Sequence, residues 1–333
     1  MKDWFNLHIY YHADQNRLIR EAILPLLKTL YEEIPLRRFF FVRYELGGSH
    51  IRLRLETPAC KSIVSRSARR ELEKFLAAVP SLHSLDRERI EEINQMLLAS
   101  DENENDTNVY PDNCIREFPF LPEVERYGGH HLLPYSLDLF TFTTTESLAL
   151  IHDAAVMPRG EAVTRSIQAL IRASLALATR YEELVEIWRP WHQPLPRPNT
   201  SEQEHRTRRL LEDLAGAEIS KKDATWERWS AAGSNLRQAL ASEPDETQTR
   251  IVRSHVHMFA NRLDISNSVE RGLGALMAEI FEARRRDWHL PEMARHEDWL
   301  GASCRNAFAR IKEQEQGGFE QAVEMVSPSQ ERG

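Results

Sequence analysis

Arg38–Thr57 reads RFFFVRYELGGSHIRLRLET, and its pattern decides the fold. Aromatic and β-branched residues favour a strand over Arg38–Glu45 (RFFFVRYE). Alternation of Ile51, Leu53 and Leu55 with polar neighbours favours a second over Ser49–Thr57. Between them Gly47-Gly48 supplies the backbone freedom of a tight turn, so the stretch is predicted to form a hairpin. Alternate strand residues share a face, so His50, Arg52 and Arg54 are expected to project together, opposite Ile51, Leu53 and Leu55. Upstream, Trp4–Tyr11 (WFNLHIYY) carries another strand signal. From Asp14, a candidate N-cap, Leu18, Ile19, Ala22, Ile23, Leu26, Leu27 and Leu30 recur at helical spacing. A further helix is predicted over Lys61–Ala78. The order strand, helix, strand, strand, helix gives an α+β fold class, with an N-terminal mixed sheet and helices packed on it.

Further along, residues 101–108 (DENENDTN) read as a solvated acidic loop, and Tyr110–Tyr135 as irregular. From Thr145 the chain is mostly helical, with breaks at Pro158-Arg159-Gly160 and at 189–198 (RPWHQPLPRP), a proline-rich surface loop. About six helices are expected up to Phe281. The expected organisation is a single unit: an α+β part over 1–144, a helical part over 145–290 and a charged tail over 291–333.

Composition bounds the function. The 333 residues are 41% apolar and 28% charged, enough to fill a core and unlike a disordered or collagen-like chain. A net charge of −8 leaves no global basic field for nucleic acid. Three separated cysteines, Cys60, Cys114 and Cys304, argue for a reducing compartment. The start MKDWFNLHIYYHADQ lacks a signal peptide's apolar run, and no stretch of about 18 apolar residues occurs. The expectation is a cytoplasmic protein with neither nucleic acid nor membrane as a partner. Only seven of the 43 basic residues are lysine. Arginine suits planar recognition of carboxylates, and a GC-rich genome gives the same bias.

Glycine-rich phosphate loops, H-E-x-x-H, C-x-x-C and G-x-S-x-G are absent from the sequence. Three polar clusters remain. The first is the hairpin, where His50, Arg52 and Arg54 share a face and Arg43 follows three phenylalanines. It is either an ordinary wet sheet face or a site for an anion or carbonyl. The second is Glu123, Glu125, Arg126, Tyr127, Gly128 and Gly129, followed by His130-His131. Its paired glycines mark either a plain turn or backbone held close to something. Adjacent histidines without a third ligand make no metal site. The third is Arg253–Leu263 (RSHVHMFANRL), where Ser254, His257, Met258 and Asn261 fall on one helical face and His255 points elsewhere. His257 reads either as a satisfied core histidine or as a catalyst.

In series, FFFVRYELGGSHIRLRL, PEVERYGG and SHVHMFANRL, with the opening WFNLHIYYHADQNRLIREAILPLL, resemble the SpaB C-terminal type of domain over roughly 4–285. That domain ends class I lanthipeptide dehydratases and also occurs as free-standing thiopeptide biosynthesis proteins. The resemblance implies removal of glutamate by β-elimination from glutamylated serine or threonine of a precursor peptide, leaving dehydroalanine or dehydrobutyrine. It also implies two partners, the precursor peptide (leader plus core) and a separate glutamylating subunit. A related branch of pyridine synthases instead joins two dehydroalanines in a formal [4+2] aza-cycloaddition and expels the leader. A non-catalytic peptide scaffold is the third class.

By resemblance His257 is the acid/base, and Arg52 or Arg54 with Arg43 binds the glutamyl group or a peptide carbonyl. His50 belongs to the same substrate-binding set, Asn261 and Arg262 position His257, and Glu125, Arg126 and Tyr127 line the pocket. No metal or other cofactor is implied. Two departures from the family pattern stand out. Phe142-Thr143-Thr144-Thr145 replaces an acidic-serine pair near a phenylalanine, and Asp264-Ile265 stands where a glycine commonly follows NRL.

Overall fold

The computed structural model describes residues 3–59, 61–83, 86–100, 108–189, 201–291 and 298–326. The acidic loop at 101–107 and most of the proline-rich loop at 189–198 lie outside them. Strand β1 (Trp4–Tyr10) leads into helix α1 (Gln15–Leu18), a π-helical turn (Ile19–Ile23) and α2 (Leu24–Glu33). Asp14 caps α1, its carboxylate accepting from the Asn16 N–H. The hairpin forms as predicted, with β2 (Arg38–Tyr44) and β3 (His50–Glu56). Its turn places Gly47 and Gly48 at φ +78° and +115°, where side chains are strained. Helices α3 (Lys61–Ala78) and α4 (Arg87–Ser100) follow, then β4 (Cys114–Phe118).

The helical part comprises α5 (Leu133–Ala154), α6 (Arg159–Leu177), α7 (Tyr181–Trp188), α8 (Ser201–Ile219), α9 (Ala224–Leu240), α10 (Asp245–Arg262), α11 (Asn267–Arg284) and α12 (Trp299–Val326). The expected α+β class holds. Strand order is β2-β3-β1-β4. Every pairing is antiparallel, so the expected mixed sheet is corrected. The fourth strand lies in the stretch read as irregular; it spans five residues, too short to announce itself by alternation. The segment 291–333, read as a charged tail, contains α12. Its Trp299, Cys304, Phe308 and Ile311 are buried, so apolar spacing outweighs its charge. Helix α5 runs across the expected boundary at 144 and packs on β2, α10 and α12.

One sheet face, with Phe5, Leu7, Ile9, Phe39, Phe41, Ile51, Leu53 and Leu55, packs on α1–α3 and α12. The other carries the polar and aromatic side chains considered below. Since β2 is an edge strand, its outward backbone groups need partners. Asn261 at the end of α10 supplies them: its Oδ1 accepts from Arg43 N–H and its Nδ2 donates to Arg43 O, both at 2.9 Å. The Arg43 guanidinium donates to the Arg262 carbonyl and to Asn16 Oδ1. Beyond the helix, Asp264 sits at φ +63°, which explains why glycine is usual there. Its carboxylate accepts from Asn16 Nδ2 and lies 3.8 Å from Arg43.

Asn261→Ala leaves both backbone groups of Arg43 without their partners. At about 1–3 kcal/mol per unsatisfied group, urea unfolding is expected to show a loss of about 2–6 kcal/mol, and Asn261→Asp, which keeps the acceptor, a smaller one.

Candidate active site

Pairing register arranges the outer sheet face in rows. Tyr44, His50, Tyr10 and Cys114 form one row, Val42, Arg52, His8 and Arg116 the next, and Phe40, Arg54, Asn6 and Phe118 a third. His50 is wholly buried. Its Nδ1–H donates to Gly48 O at 2.7 Å, leaving Nε2 to accept from Arg52 Nε at 3.2 Å. Burial first, and the Arg52 charge second, push His50 down to about 3, so the imidazole is neutral. The Arg52 guanidinium lies 3.7 Å from the centre of the Tyr44 ring. Arg54 is half-buried between Phe40 and Phe120, 5.3 and 5.0 Å from their ring centres.

Where Arg54 ends, the PEVERYGG loop begins. Arg54, Phe40, Phe120, Glu123, Tyr127, Phe140 and Met258 line a small cavity of ≈20 Å³. Gly128 and Gly129 take φ +81° and +94°, and a Cβ on Gly128 would lie 2.5 Å from Leu132. The paired glycines therefore mark backbone that needs both positive φ and close approach. Tyr127 is buried, and burial raises its phenol to about 12. Arg126 donates to Glu123 at 2.8 Å and to Ser254 Oγ at 3.3 Å, which binds the loop to α10.

On the far side of Arg126 opens a second, larger cavity of ≈280 Å³. Its charged and polar walls are Arg126, Arg189, Arg253, His257, Asn267, Glu270 and Arg271, set against apolar Ile187, Trp188 and Val256. His257 is part-exposed, and its Nδ1 lies 2.8 Å from Glu270 Oε2. Its neighbour His255 points the other way, bonded through Nε2 to Ser136 Oγ at 3.0 Å and packed on Tyr127 and Phe140. Burial, then Arg262 and Arg126, push His255 down to about 3. Arg262 is wholly buried, over the Phe140 ring, donating to Thr143 Oγ1 and Met258 O. Burial pulls its guanidinium below the usual arginine range, against the pull of Tyr127.

The structure thus gathers Arg54, Arg126, Tyr127 and His257 around two neighbouring cavities joined by the Glu123–Arg126 pair. Arg52 stands one row from Arg54, held by His50 and Tyr44. Arg43 is not with them: its register partner is Ile51, which puts it on the core face of the sheet, bound to the end of α10. Asn261 faces the backbone of Arg43 rather than a cavity. Glu125 is exposed, its carbonyl accepting from Arg250. Arg189, Arg253, Asn267, Glu270 and Arg271 are the charged and polar cavity residues that the sequence does not single out. Glu270 lies thirteen positions beyond His257, across a helix break, and no spacing rule pairs them. Among the described residues no group of three His, Cys, Asp or Glu could hold a metal ion. No described helix is long and apolar enough to cross a membrane.

A histidine, a glutamate and several arginines open together on one cavity. Residues 4–281 match the family model described as lantibiotic biosynthesis dehydratase C-term, and the chain belongs to that family. It is similar to the epidermin biosynthesis protein EpiB of Staphylococcus epidermidis, 23% identical over 294 residues, 86% of this chain and 26% of that protein. The solved pyridine synthase TbtD from thiomuracin biosynthesis matches with a TM-score of 0.64 at 17% identity, over 84% of this chain and 98% of that one. The tRNA-dependent lantibiotic dehydratase MibB from Microbispora sp. matches with a TM-score of 0.56 at 19% identity, over 85% and 28%. At these identities the structural likenesses establish the fold. The chain spans about a quarter of the length of EpiB and of MibB.

His50 and His255 have folded values near 3 against an ordinary 6.5, and His8 is also lowered. Below about 6.5 the unfolded chain takes up protons that the folded chain refuses. Stability is therefore complete above that pH and falls as pH drops toward 3, by up to about 1.4 kcal/mol per pH unit for each histidine. Urea midpoints at pH 7.5 and 5.5 are expected to differ accordingly, and His255→Gln to shrink the difference; equal midpoints would contradict the neutral, buried assignment.

Proposed function

We propose that the chain acts on a ribosomal precursor peptide, eliminating glutamate from glutamylated serine or threonine to leave dehydroalanine or dehydrobutyrine. The observation that carries this reading is that His257 and Arg126 open on one cavity whose other walls include Arg253 and Arg271. A proton acceptor there stands beside donors suited to a carboxylate. The Cα–H proton passes to His257 and the C–H electron pair becomes the Cα=Cβ bond. The Cβ–O bond breaks, its pair leaving on the glutamate carboxylate. Arginine at the cavity wall holds that carboxylate, and a further donor meets the charge that grows on the peptide carbonyl. Arg54, in the neighbouring cavity, serves one of these two roles, with Arg52 behind it. A glutamylating activity supplies the esterified peptide.

A second reading, pyridine synthesis by formal [4+2] cycloaddition of two dehydroalanines, has one observation in its favour. The family departures at Thr143 and Asp264 both touch the buried arginines that brace α10, through Arg262 and Arg43 respectively.

Mass spectrometry and a glutamate assay separate the readings. The expected outcome is release of free glutamate and loss of its mass from a glutamylated precursor. His257→Ala is expected to lower the rate by about 10²–10⁴-fold, the contribution of a placed acid/base. Inertness toward that peptide with cyclisation of a bis-dehydroalanine, azole-bearing one would establish the second reading. Binding of both with turnover of neither would leave a scaffold.

A further inference from the structure

The geometry points to Glu270 as the residue that fixes the tautomer and ring orientation of His257, so that Nε2 is the atom that exchanges protons in the cavity. The role in turnover rests on the elimination reading; the tautomer does not. An ionised carboxylate accepts hydrogen bonds and donates none. The 2.8 Å contact between Glu270 Oε2 and His257 Nδ1 therefore places the hydrogen on Nδ1 and the lone pair of the neutral ring on Nε2. Neutral imidazole in water favours the opposite arrangement, so the carboxylate reverses the default. Both residues line the same cavity, whose walls also include Arg126 and Arg271.

Glu270 is placed without slack. It lies in the first turn of α11, where its N–H bonds to the carbonyl of the N-cap Ser266 at 2.9 Å. One turn on, Gly274 abuts the C-terminal turn of α7: a Cβ there would lie 2.5 Å from Trp188 O. Glycine lets α11 approach α7 closely, and that approach sets the distance from Glu270 to α10. A second consequence is electrostatic. When His257 takes a proton from carbon it becomes a cation among Arg126, Arg253 and Arg271, and Glu270 is the negative charge in direct contact with it.

Two measurements test the assignment. Long-range proton–nitrogen NMR of ¹⁵N-histidine-labelled protein, with the His257 signals identified by their loss in His257→Asn, is expected to show hydrogen on Nδ1 in the wild type. Glu270→Ala and Glu270→Leu, the latter keeping bulk, are expected to move it to Nε2. In turnover of glutamylated peptide, both variants are expected to lose about 10²-fold in kcat, part of the 10²–10⁴-fold that a positioned base contributes. KM stays within roughly threefold, as for a group acting in the transition state, and Glu270→Asp recovers much of the rate. A wild-type ring with hydrogen on Nε2, or variants that raise KM at unchanged kcat, would overturn the assignment. If the wild type turns over no glutamylated peptide, the elimination reading fails and the wild-type spectrum still decides the tautomer.

Discussion

The amide of Asn261, bonded both ways to the backbone of Arg43, joins the two halves of the molecule and sets the geometry of everything functional. It satisfies one residue of the sheet's open edge, as Thr141 Oγ1 does for the Phe39 N–H, and it ties that edge to the last turn of α10. His257 sits one turn earlier on that helix, and Arg54 lies further along β3, the strand that carries Ile51, the register partner of Arg43. A sheet carrying arginines and a helix carrying a histidine thus share one rigid joint. Arg43 reinforces it from the core side by donating to the Arg262 carbonyl, and Asp264 closes the turn in a left-handed conformation. Each of these polar groups is satisfied by the next, which is why a partly buried polar joint can hold.

The site depends on a division of labour among buried charges and neutral rings. His50 is kept neutral so that its Nε2 can accept from Arg52 and leave that guanidinium stacked on Tyr44. His255 is kept neutral by burial beside Arg262 and Arg126. Arg262 itself sits over Phe140 with oxygen acceptors from Thr143 and Met258 in place of a carboxylate. Around the two cavities the cations are held in place by carboxylates, Arg126 by Glu123, Arg189 and Arg253 by Glu186 and His257 by Glu270, so their positions are fixed. Arginine throughout the chain reflects a general bias, but at these positions its planar fork and its tolerance of aromatic faces are put to use.

Much of this was legible in the residues. Period-two alternation in HIRLRL gives the face shared by His50, Arg52 and Arg54, because register is geometric and local. The same rule, carried across the hairpin, separates Arg43 from them: opposite Ile51, it belongs to the core face, and only the register of the pair reveals it. Helical spacing in SHVHMFANRL parts His257 from His255 correctly. What stayed hidden is long-range. The 28-residue α12 hides its buried face under abundant charge. The short β4 carries no alternation, and Glu270 meets His257 only because α10 and α11 both pack on α7. Such contacts follow from packing, which no window of sequence contains.

The central claim is that the helix-borne histidine and the arginines beside it act on one bound glutamyl peptide. A crystal structure of the protein with a peptide bearing the glutamyl group through a non-eliminating amide in place of the ester tests this most directly. The account places the Cα of the modified residue within about 3.5 Å of His257 Nε2, the range of a near-attack geometry, with the glutamyl group held by the arginines of the His257 cavity. A peptide seated instead in the groove lined by Asp14, Arg20 and Arg159, with His257 untouched, would contradict it.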